Sequence, residues 1–254
     1  MIKIHVEPDK KAVGNAAAAL GADAIRSAID SKDSANIVVA TGASQFELFA
    51  ALVLRRDFNW SLVNVFHLDE YIGMPDSHPA SFRRYLNERF TSLLPRLGSF
   101  YAIRGDAPDL GAELARVGAL ITQHPIDVTF AGIGENGHLA FNDPPADFND
   151  AKPFGVVPLD ERCRRQQLGE GWFATLDDVP EQAISMTIAQ IMKSRLVVLA
   201  VPDSRKAGAV RDTLEGPVTP MVPATILRRH PACHLFLDPL SSALLRHLPD
   251  SVGE

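Results

Sequence analysis

The residues best suited to acid–base chemistry lie in a glycine-rich stretch near the middle of the chain. It covers residues 132–144, with the sequence Gly-Ile-Gly-Glu-Asn-Gly-His-Leu-Ala-Phe-Asn-Asp-Pro, and follows the apolar run 128–131. Glycine lets the backbone turn sharply and approach a ligand closely. His138 offers a base, while Asn136 and Asp143 offer an orienting amide and a carboxylate. Taken alone, the stretch is equally consistent with a turn that carries a surface histidine.

Two adjacent acids, Asp69 and Glu70, follow the apolar run 62–68, which predicts a strand. Open α/β sheets bind ligands at the carboxyl ends of their parallel strands. Because side chains alternate along a strand, only one of the two acids can face a given cleft. We expect the other acid to be structural.

Two weaker signals fit an anion site. Thr41-Gly42-Ala43-Ser44 lies between a predicted buried strand, 36–40, and a predicted helix, 46–54. Such a turn can cradle a phosphate with backbone N–H groups, or it can be a plain turn with Ser44 as N-cap. Lys206 follows the predicted strand 195–201, where it can meet an anion or lie in solvent.

The elements that position these residues alternate between strand and helix. This pattern predicts an α/β fold with a mostly parallel sheet, helices on both faces and a single domain over residues 1–254. Residues 183–192 are expected to be helical or mixed, and Arg83, Arg84 and Arg89 to form a solvated face. The predicted strands are 2–6, 36–40, 62–68, 100–103, 127–131, 155–158, 195–201 and 233–237. The predicted helices are 13–29, 46–54, 81–93, 112–122, 160–169, one that ends near 214, 223–229 and 239–248.

Composition narrows the class of protein. The 254 residues are 46% hydrophobic and carry a net charge of −6, which disfavours a nucleic-acid surface. No apolar run reaches membrane-spanning length. Cys163 and Cys233 lie far apart, which argues against a disulfide framework or a cysteine-rich zinc site. The start lacks a long apolar signal region, so we expect a cytoplasmic protein.

Read together, the strand ends resemble the glucosamine-6-phosphate deaminase (isomerase) family, which shares a superfamily with 6-phosphogluconolactonases. The matching segments occur in order along nearly the whole chain: Thr41–Ser44, Leu68-Asp69-Glu70-Tyr71 with His78-Pro79, 105–109, the 132–144 loop and 205–207. The resemblance implies a modified Rossmann-type α/β fold that binds no nucleotide. It also implies conversion of an amino-sugar 6-phosphate to a ketose 6-phosphate with release of ammonia, and no metal or organic cofactor.

The resemblance assigns the chemistry to two positions. Asp69 matches the base that removes the proton at C2, and His138 matches the base that opens the sugar ring. Asn136 stands where many members carry Asp, and an amide cannot stabilise an imidazolium by charge. Asp143 stands where many carry Glu, which shortens the reach by about 1.5 Å.

The phosphate contacts implied by the resemblance include a further departure. Lys206 matches a phosphate ligand, but the expected arginine aligns with Gln167, and Arg164 or Arg165 within one helical turn is a candidate substitute. No match exists for the basic residues that form an allosteric site in some members, so we do not predict that regulation. The expected substrate- and phosphate-binding set is Thr41, Gly42, Ala43, Ser44, Gly137, Lys206, Gln167 and Arg164.

Two other functions stay open from the sequence: a sugar-phosphate lactonase, and a non-catalytic protein that binds a sugar phosphate. Asn136, Asp143 and Gln167 differ from the residues that many family members carry, as expected of a protein that lost catalysis and kept the binding pocket. The sequence also leaves open the stereochemistry of the sugar and whether the chain forms a homo-oligomer.

Overall fold

A seven-stranded parallel sheet forms the centre of the computed structural model, which describes residues 2–246. Its strands are β1 (Lys3–Val6), β2 (Ala35–Val39), β3 (Val63–His67), β5 (Ser99–Tyr101), β6 (Val128–Ala131), β9 (Leu196–Ala200) and β10 (Cys233–Leu237). Across the sheet they follow the order β1-β10-β9-β6-β2-β3-β5, and every neighbouring pair is parallel. Strands β2 and β6 are buried throughout, as expected for strands covered on both faces. The predicted mostly parallel α/β sheet is confirmed.

Helices cover both faces of this sheet. Helices α1 (Lys10–Lys32), α2 (Phe46–Leu52) and α3 (Phe82–Arg89) pack on one face, and α4 (Leu110–Gln123), α6 (Ile188–Ile191) and α7 (Ala207–Glu215) pack on the other. Helix α5 (Glu161–Gly169) lies over the strand ends and packs in a separate apolar cluster with Tyr71 and Phe141. Among residues 2–246, no helix has the length and apolar character needed to cross a membrane.

A second, antiparallel sheet of three short strands stands beside the main one. It pairs β4 (Asp69–Tyr71) with β8 (Gln182–Met186), and β8 with β7 (Phe154–Pro158). Leu68 N–H bonds back to Val39 O in the main sheet, whereas Leu68 O accepts from Met186 N–H in the small one. The two acids therefore lie where the chain passes from one sheet to the other.

The structure decides one open expectation from the sequence and corrects two others. Residues 183–192 combine the end of strand β8 with the single-turn helix α6, so of the two alternatives the mixed one is right. Residues 239–246 form turns instead of a helix, because Ser241 and Ser242 hydroxyls bond the Asp238 carbonyl, while 247 and 248 lie outside the described residues. Arg83 is not a solvated side chain, since it contacts Asp106 at 2.8 Å and Glu70 at 3.6 Å.

Candidate functional site

A cleft opens at the carboxyl ends of β2, β3, β6 and β9. It brings together side chains that are far apart in the sequence, including Asp69, His138 and Lys206. This is where open α/β sheets bind ligands. The cleft is lined by 40–45, Leu68, Asp69, Phe82, 132–134, His138, Ala140, Phe141, Gln166, Gln167, Glu170 and Lys206.

Asp69 faces the cleft, whereas Glu70 points into the protein. Glu70 is fully buried and accepts hydrogen bonds from the Ser81 hydroxyl and from the N–H groups of Phe82 and Arg83, which begin α3. Asp69 is 5% exposed, and its Oδ1 accepts no hydrogen bond from the described part of the chain. Asp69 is therefore available to a ligand in the cleft, whereas Glu70 has a structural role.

Burial gives Asp69 an unusual acidity. Removal from water disfavours the carboxylate, and together with the nearby charge of Glu70 it raises the pKa of Asp69 to about 8. Burial also raises the pKa of Glu70 to about 7, although four hydrogen bonds to its carboxylate oppose that rise. A carboxyl group with a pKa near the operating pH is well suited to moving a proton.

His138 is held in the cleft by the glycine-rich loop after β6. A Cβ on Gly134 would stand 2.2 Å from His138 Nε2, so only glycine lets the backbone lie against the imidazole. The Gly134 N–H bonds the His138 carbonyl, and the Gly137 N–H bonds the Gly134 carbonyl. Gly137 has a φ of +84° and packs against Val222; it does not line the cleft.

Asn136 and Asp143 support the imidazole together. Asp143 Oδ1 lies 3.0 Å from His138 Nδ1, though at an angle outside that of a normal hydrogen bond. Asn136 accepts from the His138 N–H through its Oδ1 and donates to Asp143 Oδ1 at 3.0 Å through its Nδ2. The amide therefore positions Asp143, and the shorter acid still reaches the ring.

The surroundings of Asp143 favour its charged form. Burial acts to raise its pKa, but contact with His138, the Asn136 amide and the Asp160 N–H together outweigh burial and hold the pKa of Asp143 below its ordinary value. A carboxylate beside Nδ1 favours the tautomer with its proton on Nδ1. That tautomer leaves Nε2, at the Gly134 side, as the free base.

The Thr41–Ser44 turn forms the floor of the cleft. Gly42 has a φ of +100°, a conformation that glycine adopts without strain, and its carbonyl accepts from the Tyr85 hydroxyl at 3.0 Å. Gln45 is fully buried, and its Nε2 reaches the carbonyls of Ala131 and Ala200 at 3.3 and 3.4 Å. Gln45 therefore ties the ends of β6 and β9 to this turn.

Lys206 supplies a positive charge to the cleft, and Glu170 a negative one. Lys206 is 4% exposed, and burial lowers its pKa, although Glu170 and Glu135 act in the opposite direction. Glu170 Oε2 would lie 3.7 Å from a Cβ on Gly42, so this carboxylate stands beside the turn. Of the two alternatives that the sequence left open for Lys206, its burial in the cleft excludes the one in solvent.

Helix α5 sends glutamines, not arginines, into the cleft. Gln167 Oε1 accepts from the Tyr71 hydroxyl at 2.8 Å. Arg164 points away and donates to the carbonyls of Leu176 and Val179, and Arg165 is exposed beside Glu161. We therefore leave Arg164 and Arg165 out of the candidate phosphate site.

Sequence reasoning missed three polar cleft residues: Gln45, Gln166 and Glu170. Gln166 accepts from the Glu135 N–H at 2.9 Å and donates to Glu170 at 3.0 Å, which joins α5 to the glycine-rich loop. The adjacent glutamines on one helix were the only available signal for Gln166. For Gln45 and Glu170 nothing in the sequence separates them from surface residues.

Comparison with known proteins identifies the family of this chain. Residues 8–235 match the family described as glucosamine-6-phosphate isomerases/6-phosphogluconolactonase. A glucosamine-6-phosphate deaminase from Oenococcus oeni is 38% identical over 82% of this chain and 85% of its own. One from Streptococcus sanguinis is 35% identical over 82% and 86%. The chain therefore belongs to the glucosamine-6-phosphate isomerase/6-phosphogluconolactonase family.

Solved structures place the fold in the same superfamily. A monomeric glucosamine-6-phosphate deaminase superposes with a TM-score of 0.86 at 28% identity, over 96% of this chain and 100% of its own. A 6-phosphogluconolactonase from Shewanella baltica gives a TM-score of 0.77 at 17% identity, over 94% and 97%, a likeness of fold alone. The sequence identity therefore relates the chain more closely to the deaminases.

Proposed function

We propose that this protein is an aldose–ketose isomerase and deaminase that acts on an amino-sugar 6-phosphate, with glucosamine 6-phosphate as the leading substrate. The overall reaction consumes one water and yields fructose 6-phosphate and ammonia. The single observation that carries the proposal is the convergence of Asp69, His138 and Lys206 in one cleft. The curated deaminase relatives support the same reaction.

His138 is the proposed ring-opening base. Its free Nε2 takes the proton of the anomeric hydroxyl, and the proton passes to the ring oxygen as the C1–O bond breaks. Asp143, positioned by Asn136, stabilises the imidazolium that forms, so the amide in place of a second acid does not remove the negative partner.

Asp69 is the proposed enolisation base. As a carboxylate it removes the C2 proton of the open-chain sugar, and the carbonyl at C1 becomes an enol. A proton then returns at C1, and the C2 carbon is left as an imine. Water adds to the imine, and ammonia departs to leave the C2 ketone, which balances the reaction.

The phosphate is proposed to lie at the Thr41–Ser44 turn and Lys206. Backbone N–H groups of the turn and the Ser44 hydroxyl donate to phosphate oxygens, and the lysine supplies charge. Gln167 Nε2 has no oxygen to donate to within the described residues, since only its Oε1 is bonded, to Tyr71. It offers the phosphate a neutral donor where the resemblance leads one to expect an arginine.

The test is a coupled assay of ammonia and fructose 6-phosphate, run on the wild type and on Asp69→Asn. We expect turnover by the wild type and a loss of about 10²–10⁴-fold in the variant. Asp127→Asn is the matched control, because Asp127 is an equally buried acid at the opposite ends of the strands, paired with Lys32. Wild-type hydrolysis of 6-phosphogluconolactone without ammonia release would replace this proposal with the lactonase.

A further inference from the structure

A second cavity lies behind the glycine-rich loop. It shares no lining residue with the substrate cleft. Four aspartates line it: Asp143, Asp147, Asp150 and Asp160. No lysine or arginine occurs among the described residues that line it, so this cavity attracts cations.

Asp143 lines this cavity, and behind it three different metal-binding groups converge. Donor atoms of His138, Asp143 and Cys163 all lie within 4.8 Å of one another. Tetrahedral zinc with bonds of about 2.0–2.3 Å separates neighbouring ligands by about 3.3–3.7 Å. The three groups therefore reach a shared ion through side-chain shifts of about an ångström.

Each group has capacity for the ion. His138 is 7% exposed, and its Nδ1 makes no hydrogen bond of normal geometry within residues 2–246. Asp143 accepts from the Asn136 amide on one oxygen and from the Asp160 N–H on the other, and it also contacts His138 Nδ1 and the Cys163 thiol, whose protons the ion would replace. Cys163 is a free, buried cysteine on the first turn of α5.

We propose that His138 Nδ1, Asp143 and Cys163 form an inhibitory site for a borderline-soft divalent cation such as Zn²⁺, which enters through the acidic cavity. Nitrogen, carboxylate and thiolate donors are the ones that zinc takes, whereas Mg²⁺ and Ca²⁺ require oxygen. The site differs from a catalytic zinc centre, because the metal lies on the nitrogen that faces away from the substrate.

Inhibition follows from the proton balance and rests on the proposed function. Metal binding releases the Cys163 thiol proton to solvent. It also displaces the proton from His138 Nδ1, and the uncharged ring then carries its proton on Nε2. An Nε2–H cannot accept the proton of the anomeric hydroxyl, so ring opening stops.

Cobalt titration tests the site without reference to activity. Added to the full chain under reducing conditions, Co²⁺ should give a near-ultraviolet thiolate-to-cobalt charge-transfer band that saturates at one ion per chain. Cys163→Ser should abolish the band, and Cys233→Ser, the matched change at the other buried cysteine, should keep it. Absence of the band in the wild type, or its survival in Cys163→Ser, overturns the site.

Zinc inhibition tests its consequence. Each variant is assayed with and without Zn²⁺ at fixed free concentration, and with Mg²⁺ as the oxygen-seeking control. The Zn²⁺ concentration for half-inhibition should rise at least about tenfold in Cys163→Ser and stay unchanged in Cys233→Ser. Equal inhibition of both variants would refute the inhibitory role. If the protein turned over no amino sugar at all, the proposed function would fail while the cobalt result still decided the site.

Discussion

Replacing Glu170 with glutamine should tighten binding of the substrate. Glu170 stands beside the Thr41–Ser44 turn, with Oε2 3.7 Å from where a Gly42 Cβ would lie, and it faces the same cleft as Lys206. A phosphate on the turn would therefore meet a carboxylate of like charge. Glutamine keeps the shape of the side chain and its hydrogen-bonding capacity while removing that charge.

The size of the effect follows from Coulomb's law. At about 6 Å and an effective dielectric constant of about 40–80, a carboxylate and a phosphate dianion repel by about 1.4–2.8 kcal/mol. Glu170 is only partly buried, so screening by solvent and salt favours the lower figure, which corresponds to about tenfold in affinity.

Steady-state kinetics at low ionic strength would measure this effect. We expect KM for glucosamine 6-phosphate to fall about tenfold in Glu170→Gln, with a smaller dependence of KM on salt. Glu161→Gln is the control, because Glu161 lies on α5, the helix that Glu170 follows, but is exposed and paired with Arg165. An unchanged or higher KM in Glu170→Gln would refute the placement of the phosphate beside this residue.

Three further predictions concern Asp69 and the glycine-rich loop. Because the base must be ionised and the pKa of Asp69 is about 8, kcat/KM should fall tenfold per pH unit below about pH 8; a profile flat from pH 6 to 9 would contradict this. The raised pKa means that the folded state keeps a proton that the unfolded state loses above about pH 4. Stability should therefore decline as pH rises from about 4 to 8, and Asp69→Asn should unfold at a higher temperature than the wild type at pH 9, with no advantage at pH 4, as measured by thermal denaturation. Gly134→Ala should lower kcat by about 10²-fold with the fold retained by circular dichroism, because its Cβ displaces the imidazole; full activity would show that His138 need not lie where the structure places it.

The centre of the main sheet was predictable because β2, β6 and β9 are largely apolar runs rich in β-branched residues. Of the second sheet only β7 was predicted as a strand. Strand β4 was missed, since Asp69–Tyr71 has three residues and all of them are buried, so no alternation marks it as a strand. Strand geometry predicted that only one of Asp69 and Glu70 would face the cleft, but it did not predict which one. Helix α3 decides this, because its first N–H groups bind Glu70 and hold that side chain inside the protein.

The sequence could not predict the side-chain directions on α5 either, because contacts with other segments decide them. Arg164 and Gln167 lie within one turn, but carbonyls of the following loop draw Arg164 away, and the Tyr71 hydroxyl holds Gln167 in the cleft. The Tyr71 hydroxyl is distant along the chain, and the carbonyls that bind Arg164 belong to irregular structure. Local periodicity carries no information about such contacts.

The central claim is that Asp69 removes the C2 proton of the open-chain amino sugar. The most direct measurement is the loss of the C2 hydrogen signal of glucosamine 6-phosphate, followed by proton NMR in deuterium oxide with the wild type and Asp69→Asn, alongside the dissociation constant of each for the sugar phosphate. If Asp69 is this base, the signal should be lost about 10²–10⁴-fold more slowly in the variant while binding is retained. Loss at wild-type speed in Asp69→Asn would contradict it.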